Sequence, residues 1–264
     1  MDRDLESAKR LCGKEMMDGE PLFEFYTKQG DSHFGTAPTN CEEFNTNGYK
    51  VIPNICPIEL IDPPLPKEKE GLLYYSTDLG IRDGDPLFYK HDPVEAQVRG
   101  ALARYTHPFY KEAYTIIQKN IEETLNDPLF KTYYFDRFYY PGQFLRYHTD
   151  RSSCEISCTV HCSTNLKDRW PICIRRPDGT VGKVYLKPGD GMIYKGCERP
   201  HWRPKMPGVK RNKIRRLLGM DSLYYHQVFF HYVLANGSRQ KYAGDNGAHK
   251  WEIDEEISKV EIDG

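Results

Sequence analysis

The run CEISCTVHCSTN (154–165) constrains this chain more than any other. Cys154, Ile156, Cys158, Val160 and Cys162 fall on one side, and Glu155, Ser157, Thr159 and His161 on the other. Successive side chains of a strand point to opposite faces, so this alternation predicts a half-buried strand and excludes a helix. Comparable runs recur from residue 131 onward. KTYYFDRFYY and FLRYHTD flank Pro141-Gly142, WPICIRR and GKVYLK flank Pro177-Asp178-Gly179, GMIYK follows a turn at Pro188-Gly189-Asp190, and YYHQVFFHYV spans 224–233. Aromatic residues make up 13% of the chain, with 19 Tyr, which favours strands. Roughly eight antiparallel strands over 131–235 predict a mostly β fold of the jelly-roll barrel type. The three cysteines of 154–162 are expected to behave as small core hydrophobes.

Upstream the period changes. Ala113, Ile116, Ile117, Ile121 and Leu125 recur at helical spacing, Asp92-Pro93 suits a helix start, and Asn126-Asp127-Pro128 suits a stop. Residues 92–130 are therefore expected to be a helical support for the barrel. NGYKVIPNICPIELID (47–62) predicts a strand over Tyr49–Ile52 that turns at Pro53. The expected organisation is a partly irregular N-terminal extension (1–46) and one domain (47–264), with its core over 131–235 and a tail over 236–264. The basic stretch 203–222 is expected to be a solvated loop, with a cover over a site or a contact with an acidic partner as alternatives.

Charge and composition exclude several classes. The chain has 37 basic and 38 acidic residues, a formal net charge of −1, so it lacks the basic footprint of a nucleic-acid binder. There is no apolar run long enough to span a membrane. MDRDLESAKR lacks the apolar stretch of a secretory signal. The eight cysteines include no CxxC pair, so free thiols in the reducing cytoplasm are expected.

FLRYHTD sets His148 and Asp150 two residues apart on a strand, on one face. His201, in KGCERPHWRP, follows after enough strands for the chain to return to the same mouth. Two imidazoles and one carboxylate leave coordination positions open, which suits non-haem iron(II) and dioxygen. A closed structural zinc site would need four protein ligands. The HxD spacing is common by chance, and a polar strand face, a strand-end turn and a loop histidine account equally well for His148, Asp150 and His201 on pattern alone.

The stretch from about 133 to 235 resembles the catalytic barrel of the Fe(II)- and 2-oxoglutarate-dependent dioxygenases, nearest their prolyl-hydroxylase-like branch. The resembling residues are YYPGQFLRYHTD, LKPGDGMIYKG, PHW and QVFFHYVLANG, with NGYKVIPNICPIELID similar to the first strand of many such enzymes. The resemblance implies a double-stranded β-helix, cupin-like, with supporting N-terminal helices. It implies Fe(II) held by His148, Asp150 and His201, with 2-oxoglutarate and O2 as co-substrates and ascorbate optional. The implied reaction is hydroxylation of a C–H bond of an amino-acid side chain, peptidyl or free, or of another small molecule, with release of succinate and CO2. No catalytic group beyond the metal ligands is implied.

One departure matters. The family commonly sets Arg or Lys about ten residues past the distal His to bind the far carboxylate of 2-oxoglutarate, and YYHQVFFHYV offers neither. Arg203, two residues after His201, is the favoured substitute, and Arg146, two before His148, the other. Tyr140 matches a position where the prolyl-hydroxylase branch uses a tyrosine on 2-oxoglutarate, with a core or rim aromatic as the alternative. Trp202 and Tyr225 are candidate walls of a substrate pocket. His226 and His231, five apart, face opposite sides of the last strand. The expected partner is a small-molecule or peptide substrate, with neither nucleic acid nor membrane. A metal enzyme of another kind on the same barrel, and a binding protein that keeps the barrel without the chemistry, are the alternatives.

Overall fold

Residues 36–63, 98, 101–105 and 107–244 are described in the computed structural model. The expectations for Asp92-Pro93, most of the extension and the end of the tail lie outside them. The described fold is mostly β. Ten strands form two antiparallel sheets: β1 (Tyr49–Ile52), β2 (Leu102–Tyr105), β3 (Leu129–Tyr139), β4 (Leu145–His148), β5 (Ile156–Thr164), β6 (Ile172–Arg175), β7 (Val181–Val184), β8 (Gly191–Lys195), β9 (His201–Arg203) and β10 (Tyr225–Leu234). One sheet has the order β1-β8-β5-β10-β3-β2 and the other β4-β9-β6-β7. Among the described residues no ladder joins the two, so the expected closed barrel is seen as two facing sheets.

The inner faces meet in two apolar clusters. One gathers Phe135, Tyr139, Tyr225 and Phe229 of the larger sheet with Leu145, Leu166 and Trp170. The other gathers Met192 and Tyr194 with Ile172, Ile174 and Val184 of the smaller sheet. On its outer face the larger sheet packs against α2 (Lys111–Leu125). There Ile156, Cys158, Val160 and Cys162 of β5 and Val228, Phe230 and Tyr232 of β10 meet Ala113, Ile117, Ile121 and Leu125. A short helix, α1 (Glu42–Asn47), adds Phe44 to that core.

Three expectations are corrected. First, β5 is buried on both faces from Ile156 to Cys162. Its apolar side faces α2, and its polar side, Ser157, Thr159 and His161, looks into the space between the sheets rather than toward solvent. Second, the described part of 92–130 is not one continuous helical stretch. Leu102–Tyr105 is a strand on β3, and the helix begins only after Pro108, because a residue before proline is driven out of the helical region. At its far end Asn126 takes a left-handed conformation, φ 54°, and stops the helix. Third, the basic stretch contains a helix, α3 (Val209–Leu217), with no buried residue, its end exposed at Leu217 and Leu218.

The described cysteines are all free thiols. Among the described residues no helix is long and apolar enough to cross a membrane.

Beneath the larger sheet a buried polar cluster ties β2, β3 and β10 to the start of α2. The Asp136 carboxylate accepts from Arg104, from the Tyr110 hydroxyl at 2.6 Å and from His226 Nε2 at 2.8 Å. Burial would raise the pKa of Asp136, but His226 and Arg104 hold it far below the usual carboxylate range. Ring stacking of His226 on Phe138 at 3.9 Å completes the cluster.

Candidate metal centre

Strand β9 lies between β4 and β6, with His201 paired to His148 across the β4–β9 ladder. Both imidazoles point into the space between the sheets. The chain leaves β4 at His148, and Asp150 is fixed just beyond it by its backbone N–H, which donates to Gly196 O at 2.9 Å. The ligand atoms of His148, Asp150 and His201 all lie within 4.8 Å of one another. Each Nε2 sits 3.5 Å from the same oxygen, Asp150 Oδ1. That is the outer edge of a hydrogen bond and a natural spacing for donors that face one ion.

The back of each ligand is occupied. His148 Nδ1 is 2.7 Å from Arg146 O and His201 Nδ1 is 3.0 Å from Arg199 O. A carbonyl only accepts, so each Nδ1 carries the proton and each Nε2 offers its lone pair inward. Asp150 Oδ2 accepts from Ser157 Oγ at 2.8 Å, leaving Oδ1 for a metal. Burial, then the neighbouring His201, lowers the pKa of His148 and keeps the ring in the neutral form a metal needs. Burial would raise the pKa of Asp150, but the two imidazoles beside it, His201 foremost, hold it well below the ordinary carboxylate range. Gly196 makes room: a Cβ there would stand 2.3 Å from Cys154 O, 2.5 Å from Ser157 Oγ and 2.7 Å from Asp150 Oδ2. The donor set, its tautomers and its one free carboxylate oxygen all fit a divalent first-row metal with open positions.

Two residues along β9, Arg203 shares the inner face with His201 and is 0% exposed. Its guanidinium lies between the rings of Trp170 (4.7 Å) and Tyr225 (4.8 Å), with Tyr139 at 6.0 Å. Nη1 donates to Trp170 O at 3.3 Å, while Nε and Nη2 have no hydrogen-bond partner among the described residues. A buried cation without a carboxylate is costly, so the position suits an anionic ligand. Tyr225, stacked on His161 at 4.1 Å, stands beside it.

The other expected residues are placed differently. Arg146 and Tyr147 stand together opposite the single residue Trp202, because Leu145 pairs with Arg203 and His148 with His201. This bulge breaks the alternation that would give Arg146 the face of His148, and Arg146 is half-buried. Trp202 alternates away from His201 and Arg203 and packs on Tyr147 at 5.2 Å. Tyr140 is half-buried just past the end of β3, and the tyrosine rings near Arg203 are those of Tyr225 and Tyr139.

Arg137 carried no expectation from the sequence, and Ser157 and His161 none beyond the polar side of their strand. Arg137 is buried with its guanidinium 5.2 to 5.5 Å from the rings of Phe135, Tyr139 and Phe229. The signal was present in the alternation of β3 and β5, but only with the polar side placed inward.

No known protein-family model and no curated protein matches the chain. Solved structures similar to it include a prolyl-4-hydroxylase from Pseudomonas putida, at 15% identity and TM-score 0.44, covering 72% of this chain and 95% of that one. HygX from Streptomyces hygroscopicus with nickel and 2-oxoglutarate bound is 12% identical with TM-score 0.45, covering 74% and 85%. The non-haem α-ketoglutarate-dependent epimerase SnoN from nogalamycin biosynthesis is 10% identical with TM-score 0.48, covering 74% and 79%. At these identities and TM-scores the likeness by itself assigns neither fold nor activity.

Proposed function

We propose that this chain is an Fe(II)- and 2-oxoglutarate-dependent oxygenase on a jelly-roll barrel, of the prolyl-hydroxylase-like kind. Its substrate is an amino-acid side chain, in a peptide or free, or another small molecule. The observation that carries the reading is the pairing of two features on β9. His201 joins His148 and Asp150 in an inward-facing donor set, and a buried guanidinium, two of whose nitrogens find no hydrogen-bond partner among the described residues, stands two residues further on. Two residues of a strand advance by about 6.6 Å, a span that suits a short diacid reaching from a metal to Arg203.

Iron bound at this site would supply the dioxygen chemistry, with 2-oxoglutarate oxidised to succinate and CO2. The residues of the chain do the rest. His148, His201 and Asp150 hold the ion through one atom each and leave its other positions open. Arg203 binds and orients the far carboxylate by charge-assisted hydrogen bonds. Tyr225, Trp170 and Tyr139 wall that guanidinium off from water, which strengthens its hold on an anion. The test is succinate formation from 2-oxoglutarate with Fe(II), O2 and mixtures of peptides or free amino acids. Succinate above background that vanishes in His148→Ala is expected. The same background in both proteins, with iron bound by the wild type, would overturn the reading.

A further inference from the structure

We infer that Ser157 and His231 form a positioning pair that holds Asp150 as a one-oxygen metal ligand, an inference that rests on the metal reading above. The two residues face each other in register across β5 and β10, at the centre of the larger sheet. Both are buried. Ser157 Oγ lies 2.8 Å from Asp150 Oδ2 and 3.0 Å from His231 Nδ1. A carboxylate only accepts, so the serine proton goes to Asp150, and the serine oxygen accepts from His231 Nδ1–H. The polarity of the chain is then fixed: His231 donates to Ser157, and Ser157 donates to Asp150.

The far end of the chain is held rigidly. The His231 ring stacks on Tyr133 at 4.5 Å and on Phe135 at 5.9 Å. Its backbone carbonyl accepts from the Tyr114 hydroxyl at 2.7 Å, which ties it to α2. Gly196 closes the other side of Ser157 and Asp150, because a side chain there would overlap both. The carboxylate is thus clamped at Oδ2, and Oδ1 is presented to the two imidazoles. Without the serine hydroxyl the carboxylate can rotate or chelate through both oxygens, taking a position that 2-oxoglutarate or O2 needs. Ser157 has a second acceptor within reach, Cys154 O at 3.3 Å, so loss of His231 also loosens its hold on Asp150.

The experiment measures Co(II) binding by full-length protein, in wild type, Ser157→Ala, His231→Phe, His231→Asn, the Ser157→Ala/His231→Phe double variant and His148→Ala. Phe keeps the stacking without the donor, and Asn restores a donor near the Nδ1 position. Ser157→Ala and His231→Phe are expected to weaken Co(II) binding by roughly 10- to 100-fold and to change the visible Co(II) spectrum. The double variant should lose no more than the worse single one, because the residues act as one unit. His231→Asn should bind within a few-fold of wild type. Melting curves of the metal-free proteins separate these effects from unfolding. Wild-type affinity and spectrum in Ser157→Ala, with binding still abolished by His148→Ala, would overturn the pair alone. Wild type that binds no Co(II), or binds it regardless of His148→Ala, would overturn the pair and the metal reading together.

Discussion

Substitution of Gly196 by Ala should disable the metal centre without removing a ligand. The added Cβ would stand 2.3 Å from Cys154 O, 2.5 Å from Ser157 Oγ and 2.7 Å from Asp150 Oδ2. A carbon–oxygen contact normally relaxes to about 3.4 Å, so these atoms must retreat by roughly 0.7 to 1.1 Å. The first is main chain, and the other two are held by the hydrogen bonds of the site. Functional groups need to stay within about 0.5 Å of their working positions, so the displacement exceeds what the site tolerates. Overpacking of this kind costs about 1–3 kcal/mol. For a domain of this size that lowers the melting temperature by roughly 2–12 °C. Co(II) titration and thermal melting of the metal-free protein measure the two effects. The expected outcome is at least a tenfold loss of affinity with a modest drop in melting temperature. Wild-type affinity at an unchanged melting temperature would refute the reasoning.

Three further outcomes are expected. Arg203→Leu should raise the Kd for 2-oxoglutarate by roughly a hundredfold, about 3 kcal/mol for hydrogen bonds to a charged group, and leave Co(II) affinity unchanged; isothermal titration with each ligand checks both halves. Burial pushes the His161 pKa down to about 4, below its unfolded value of about 6.5, so the unfolded chain takes up the proton first. Stability is then whole above pH 6.5 and falls by up to about 3 kcal/mol as pH drops from 6.5 to 4; urea midpoints at pH 7.5 and 4.5 should fall less in His161→Gln than in wild type. Asp136→Asn should cost about 3–5 kcal/mol, because Arg104 at 6% exposure loses its counter-ion, and chemical denaturation measures it.

The candidate metal-binding set was visible in the sequence because it is mostly local. His148 and Asp150 are fixed by strand spacing, and a single return of the chain on β9 supplies His201. The strands from β3 onward were visible through their β-rich runs and turn signals, except β9, whose three residues His201–Arg203 are too few to show a pattern. What alternation cannot say is which side of a strand meets what. In β5 it separates two faces, but the apolar one packs on α2 and the polar one lines the site. Nor does spacing reveal the bulge in β4, where Arg146 and Tyr147 oppose Trp202 alone and the expected role of Arg146 loses its geometric basis. Strand β2 forms through a long-range tie, Arg104 to Asp136, that no local pattern encodes. Helix α3 buries none of its residues, and its three apolar residues, Val209, Ile214 and Leu217, stand among so many basic ones that the stretch reads as a solvated loop.

The most direct measurement is anaerobic titration of 2-oxoglutarate into the Fe(II)-loaded protein, followed by the weak visible charge-transfer band of a chelated 2-oxo acid. The site described here predicts a saturable band in wild type, its loss in His148→Ala, and in Arg203→Leu a band that needs far more 2-oxoglutarate to saturate. Iron bound at one equivalent with no band at saturating 2-oxoglutarate would contradict the oxygenase reading.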